Sequence, residues 1–188
     1  MMGRMIQSGL LVIGLSITTV SAAVIEGVRF ADRVTVQDAS LRLYGVGLLR
    51  YRIVIKAYVG TLYLGDDARG SDVMSDVPKR LELEYFWSIP AEDFGRAAWA
   101  ILRDNFSPEE LKPLEERIER LNGWYVDVKP GDRYSLTYVP GWGTELAHNG
   151  QPLGRIEGDD FARIYYAIWL GERPANKSFR DQLISGRK

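Results

Sequence analysis

The chain has 188 residues, 46% hydrophobic and 26% charged, with 24 Lys plus Arg against 25 Asp plus Glu and a formal net charge of −1. Its length suits one domain with an ample core, and the charge balance excludes a nucleic-acid binder that works by phosphate neutralisation. Absent cysteine excludes disulfides, thiolate metal sites and a cysteine nucleophile, and the lone His148 excludes a two-histidine metal site, so no metal and no cofactor are expected.

Residues Met1 to Ala23 carry one charge, Arg4, then an apolar run from Leu10 to Val20 ending in Ser21-Ala22-Ala23. A basic start, a short apolar stretch and small residues at the end make a secretory signal. The run is too short for a comfortable membrane span of about 20 residues. The expected organisation is a signal peptide over 1–23, cleaved after Ala23, and one domain over 24–188. The localisation that follows is periplasmic or secreted. No stable membrane span is expected after cleavage, and no nucleic-acid partner.

Val28, Phe30, Val34 and Val36 alternate with polar neighbours at the period of half-buried strands. Asp38-Ala39-Ser40 suits a turn, and Leu41, Leu43, Gly45 and Gly47 follow. From Arg50 to Leu64 the alternation continues and predicts one long strand bent near Gly60. Ile53, Ile55, Ala57, Val59, Thr61 and Tyr63 fall on one face. Arg50, Arg52, Val54, Lys56, Tyr58, Gly60, Leu62 and Leu64 fall on the other. Residues 65–78 read as a connection with a short helix near Ser71 to Asp76. Arg80 to Trp87 reads as a second strand, with Leu81, Leu83, Tyr85 and Trp87 on one face.

Pro90, with Glu92 and Asp93 in the first turn, opens a helix. Its stripe is Phe94, Ala97, Ala98, Ile101 and Leu102, continuing to Asn105. Ser107-Pro108-Glu109-Glu110 is a capping box for a second helix with Leu111, Leu114, Ile118 and Leu121 inward, stopped by Asn122-Gly123. A strand from Arg133 to Val139 follows Pro130-Gly131-Asp132. Asn149-Gly150 joins 145–148 to 152–156 as a hairpin. A last long helix runs from about Asp159 to Leu170, with Phe161, Ile164, Tyr165 and Ile168 inward, and the tail after Pro174 adds a short one. The sum is one α+β domain with strands and helices partly segregated.

No GxSxG elbow, Walker loop, GxGxxG after a strand or HExxH is present. His148 abuts the hairpin turn and reads as an exposed residue. Arg50, Arg52, Lys56 and Tyr58 share one parity. They either mark a solvated strand face or face a ligand, where Arg grips a carboxylate bidentately and Tyr adds a directed donor. Asn105 is either a helix-end residue or a buried amide in need of a partner.

Several ordered segments together resemble the chalcone-isomerase-like family, in particular its bacterial, often exported branch. They are Leu43-Tyr44-Gly45-Val46-Gly47 leading to Arg50, Lys56 to Leu64, and Pro78-Lys79-Arg80-Leu81-Glu82-Leu83. Asn149-Gly150, Gly154, Ile156-Glu157-Gly158 and Asp160-Phe161 through Ile168-Trp169-Leu170-Gly171 complete the set. The resemblance implies an open-faced β-sandwich, a large antiparallel sheet with helices on one face and a ligand cleft between them. It also implies that Arg50 takes the place of the arginine that steadies an oxyanion in the plant isomerases, although one extra residue separates it from the glycines. Tyr58 stands where a strand threonine is usual and Asn105 fits an asparagine. Ala98 replaces a tyrosine, and Ile168 a final hydroxyl.

Removing directed donors costs an oxyanion-stabilising site about 10²–10³ in rate each. The leading expectation is therefore a non-catalytic binder of a small apolar, fatty-acid-like or carboxylate-bearing ligand. Arg50 would hold the polar end, with Lys56, Tyr58, Asn105, Ala98 and Ile168 completing the site. Two alternatives remain: an isomerase or intramolecular lyase acting on an enone or phenolic substrate, and a structural or partner-binding envelope protein. The readings diverge on whether Arg50 and Asn105 face one cavity.

Overall fold

The computed structural model describes residues 22–51 and 55–186. The expected signal segment therefore lies outside the described residues except for Ala22 and Ala23, as do Arg52, Ile53 and Val54. Two hairpin strands, β1 (Ala22–Ile25) and β2 (Val28–Ala31), form a separate small sheet. Seven further strands make one antiparallel meander in sequence order. They are β3 (Arg33–Val36), β4 (Ala39–Tyr51), β5 (Ile55–Leu64), β6 (Lys79–Tyr85), β7 (Arg133–Val139), β8 (Gly143–His148) and β9 (Gln151–Ile156). The helices are α1 (Ala91–Asn105), α2 (Pro108–Leu111), α3 (Glu115–Asn122), α4 (Asp159–Leu170) and α5 (Lys177–Ile184). The result is the α+β open-faced sandwich expected, a large antiparallel sheet with its helices on one face.

Period-2 alternation sorts the two faces. Leu62, Leu64, Leu81, Leu83, Tyr85, Tyr134, Leu136 and Tyr138 point into the core beneath the helices. Leu41, Leu43 and Tyr63, and beside them Val59, point the other way, where Ala23, Val28 and Phe30 of the small sheet cover them. Helix α4 lies at the centre of the helical layer, its residues buried nearly all round, and the Tyr166 hydroxyl donates 2.7 Å to the Leu136 carbonyl of β7.

Helix α5, expected only as a short tail element, packs directly on β4 and β5. It comes so close that a Cβ at Gly45 would lie 1.8 Å from the Leu183 carbonyl oxygen, and one at Gly47 or Gly60 would strike the Phe179 ring. These glycines serve close approach, and Gly60 stays in register with Gly47 and Leu83.

Local signals hold where turn chemistry is explicit. The Ser107 hydroxyl accepts from the Glu110 backbone N–H while the Glu110 carboxylate accepts from that of Ser107. Pro113 then divides the second helix into α2, a 3-10 turn and α3, yet Leu111, Leu114, Ile118 and Leu121 stay buried. The 65–78 connection holds a 3-10 turn at Gly70–Asp72. It is clamped by buried Lys79, whose Nζ donates to the carbonyls of Val73 (2.8 Å) and Ser75 (2.7 Å). The Tyr138 and Tyr166 rings each lie 5.4 Å from that ammonium, and burial lowers the Lys79 pKa to about 8.

One expectation fails in an instructive way. The stretch 50–64 is not a single strand: β4 ends at Tyr51, β5 starts at Ile55, and the two run antiparallel. Leu49 pairs with Tyr58 but Arg50 pairs with Lys56, so Ala57 is an extra residue in β5. A one-residue slip reverses which face a side chain meets. Tyr58 stays under the helices while Arg50 and Lys56 turn toward the small sheet.

Candidate functional site

Between α1, α4 and the strands β5 and β6 lies a cavity of about 250 Å³. From β5 comes Tyr58, and from β6 Leu83 and Tyr85. Helix α1 supplies Asp93, Phe94, Ala98 and Ile101; α4 supplies Ile168 and Trp169, and Tyr125 enters from the connection after α3. The site exists because α1 and α4 present small or branched residues to the sheet at this level. Ala98 is buried yet fills little space opposite Tyr58 and Tyr85. Other hollows open beside charged surface groups, such as Lys112 and Glu115 at one and Arg163 and Arg173 at another. This one is walled by rings and aliphatic carbons, the usual character of a small-molecule site.

The aromatic wall is interlocked. Tyr58 meets Tyr85 and Phe179 edge-on, with ring centroids 5.6 and 5.1 Å apart. Phe94 packs edge-on against Tyr85 at 5.5 Å and stacks on Tyr125 at 4.8 Å. Tyr125 and Tyr165 share a hydrogen bond of 3.2 Å, and the Tyr165 hydroxyl donates 2.8 Å to the Asn122 side-chain oxygen. Burial pushes the Tyr58, Tyr85 and Tyr125 hydroxyls above the ordinary phenol range, and the Trp169 indole N–H facing Tyr58 opposes this only in part. At neutral pH these groups are neutral hydrogen-bonding hydroxyls rather than phenolate bases.

Of the six side chains singled out from sequence, Tyr58, Ala98 and Ile168 line this cavity together. Arg50 and Lys56 do not. Both turn to the opposite face and ion-pair with Glu26 at the β1–β2 turn, Arg50 at 3.8 Å and Lys56 in closer contact. Those two cations pull the Glu26 carboxyl below its usual range, the Lys56 hydrogen bond contributing most.

Asn105 is also elsewhere. Its amide donates to the carbonyls of Ile101 (2.8 Å) and Arg173 (2.7 Å), tying the end of α1 to the loop after α4. It is thus an amide that found its partners, and it borders the separate hollow with Phe106 and Arg163. His148 is not the exposed residue expected. It is half-buried with its ring 4.9 Å from that of Tyr134, and its Nε2 lies 3.8 Å from an Asp132 carboxylate oxygen.

Asp93, Tyr125 and Trp169 are site residues that the sequence does not single out. Asp93 reads from sequence as a helix-start acid, which it also is. Trp169 follows the predicted inward Ile168 and lies four residues beyond Tyr165. Tyr125 sits in an irregular connection where no periodicity points.

The fold and the cavity together define an α+β open-faced sandwich with an apolar pocket under its helices. The sequence profile of the chalcone isomerase-like family matches residues 22–185, and the chain belongs to that family. No curated protein matches the chain at a significant level. Among solved structures, that of the Arabidopsis thaliana fatty-acid binding protein AtFAP1 aligns with a TM-score of 0.63 at 18% identity. The alignment covers 87% of this chain and 96% of that one. At that identity the likeness is one of fold. Among the described residues no helix is long and apolar enough to cross a membrane.

Proposed function

We propose that this protein is a binding protein for a small apolar ligand held between α1, α4 and the sheet. The observation that carries the proposal is the cavity of about 250 Å³ walled by Tyr58, Phe94, Ala98, Ile101, Ile168 and Trp169. AtFAP1, which shares the fold, is a fatty-acid binding protein, and that supports an apolar chain as the ligand class. A cavity of this size and apolar lining suits a single small apolar ligand. For a ligand of about eight methylenes, burial at about 0.8 kcal/mol each gives roughly 6 kcal/mol before the cost of association, so an affinity no tighter than tens of micromolar is expected.

The proposal includes export directed by residues 1–23, on the basic, apolar and small-residue order of that segment. Mass spectrometry of the protein recovered from cell fractions tests it: a secreted or periplasmic chain starting near Val24 supports export. An intact cytoplasmic chain contradicts it.

Binding is preferred to isomerase chemistry because Ala98 and Ile168 present no directed donors to the cavity. Titration with 1-octanol, followed by calorimetry, tests the reading, together with an absorbance assay on chalcones. Saturable one-to-one binding without turnover supports it; turnover above buffer favours the lyase instead. A structural or partner-binding role gains one observation, the engagement of Arg50 with Glu26 on the surface. An occluded cleft would have favoured that role, and the cavity is not occluded.

A further inference from the structure

The polar end of the cavity is built differently from a fatty-acid grip, and this fixes which headgroup it accepts. Among the described lining residues, the charged one is Asp93, in the first turn of α1. Arg50 and Lys56 are engaged by Glu26 on the other face of the sheet. The start of α1 would ordinarily attract an anion through its free backbone N–H groups. Here the Ala91 N–H already donates 2.8 Å to the Asp127 carboxylate, and Glu92 and Asp93 occupy the first turn. Arg96 is shared between those two acids, at 3.3 and 2.9 Å, on the exposed side of the helix. Three carboxylates therefore stand against one guanidinium around this end of α1. Deeper in, Tyr58, Tyr85, Phe94 and Tyr125 line the cavity with aromatic rings, a group that attracts cations, and the three tyrosines add neutral hydroxyls that hydrogen-bond.

Given that the cavity binds an apolar ligand, the reading on which this rests, we propose that it selects against carboxylates. It takes ligands whose polar end is a hydroxyl or an amine, with Asp93 as the residue that sets the preference. A carboxylate entering here would lose hydration with no cation among the described lining residues to replace it, and would approach the like charge of Asp93. A protonated amine would meet both a carboxylate and aromatic faces.

The test compares three ligands of one chain length, 1-octanol, octanoate and octylammonium, by calorimetric titration at pH 7 and low salt. The expected order is octylammonium at least as tight as octanol, with octanoate at least tenfold weaker than octanol. Asp93→Asn, a near-isosteric change, should shrink the octylammonium-to-octanoate ratio at least fivefold. Asp93→Lys should reverse the order, and far-ultraviolet circular dichroism confirms that each variant is folded. Octanoate binding as tightly as octanol would overturn the selectivity while leaving the binding reading intact, and so would an unchanged ratio in Asp93→Asn. Failure of all three ligands to bind would overturn both.

Discussion

The two faces of the same strands solve opposite problems. Beneath the helices, Tyr58, Leu83 and Tyr85 leave about 250 Å³ of apolar volume. On the outer face, Glu82 is buried and receives Arg80 at 3.0 Å and Arg133 at 2.6 Å, while Arg133 also reaches Glu84. The Arg133 guanidinium donates 3.1 Å to the Arg29 carbonyl and lies 4.5 Å from the Phe30 ring centre, which fastens the small β1–β2 sheet down. A network with its donors and acceptors matched makes a surface rigid and specific. A wall of rings beside small residues leaves room for a guest. On the outer face, charge reinforces the apolar packing of the small sheet, whereas around the cavity shape is left to the rings and aliphatic side chains.

Substitutions that exchange these roles should therefore have separable effects. The largest effect on function is expected from Ala98→Phe, which fills the cavity from α1. Ligand binding should disappear, while overpacking costs at most about 1–3 kcal/mol because the ring enters existing space. Calorimetry with a thermal melt checks both halves.

The largest effect on stability belongs to Arg133→Ala, which leaves the buried Glu82 with one partner fewer. A loss of about 3–5 kcal/mol in urea unfolding is expected. Affinity for 1-octanol should be unchanged in the folded protein.

Lys79 gives an intermediate effect that depends on pH. Its pKa is near 8 in the folded state and 10.5 ordinarily, so between those values the unfolded chain binds more protons. Stability from this group therefore rises with pH from 8 toward 10.5 and is lost as pH falls through 8. Above pH 10 the buried tyrosines act oppositely, because burial raises their folded pKa values and the unfolded chain then ionises first. Urea midpoints of the wild type and Lys79→Met, compared at pH 7 and 9.5, isolate the lysine. The gap between the two proteins should change with pH in favour of the wild type at the higher value.

The smallest effect is expected from Arg50→Ala. Its carboxylate partner is on the outer face and shared with Lys56, so octanol and octylammonium affinities should not move. A tenfold loss of binding would place Arg50 at the cavity after all.

The pattern of what sequence could tell follows from the same contrast. β7, the hairpin at Asn149-Gly150 and α4 were legible because alternation, a turn dipeptide and a 3.6-residue stripe are local signals. Asn149 and Gly150 indeed take left-handed φ values of 49° and 79°. The reversal between β4 and β5 was not legible. Arg52-Ile53-Val54 contains no Gly, Pro, Asn or Asp, so alternation runs through it unbroken. The extra residue at Ala57 is equally silent, yet it decides that Tyr58 faces the cavity and Lys56 does not. Ala98 and Ile168 were legible because helical spacing fixes a face. Tyr125 escaped because an irregular segment has none, and Asp93 because helix capping already explained it.

Whether the cavity holds the ligand is answered most directly by titrating 1-octanol into the wild type and Ala98→Phe side by side. Saturable one-to-one binding to the wild type and none to the folded variant is the predicted result. Equal binding to both proteins, or none to the wild type, would contradict it.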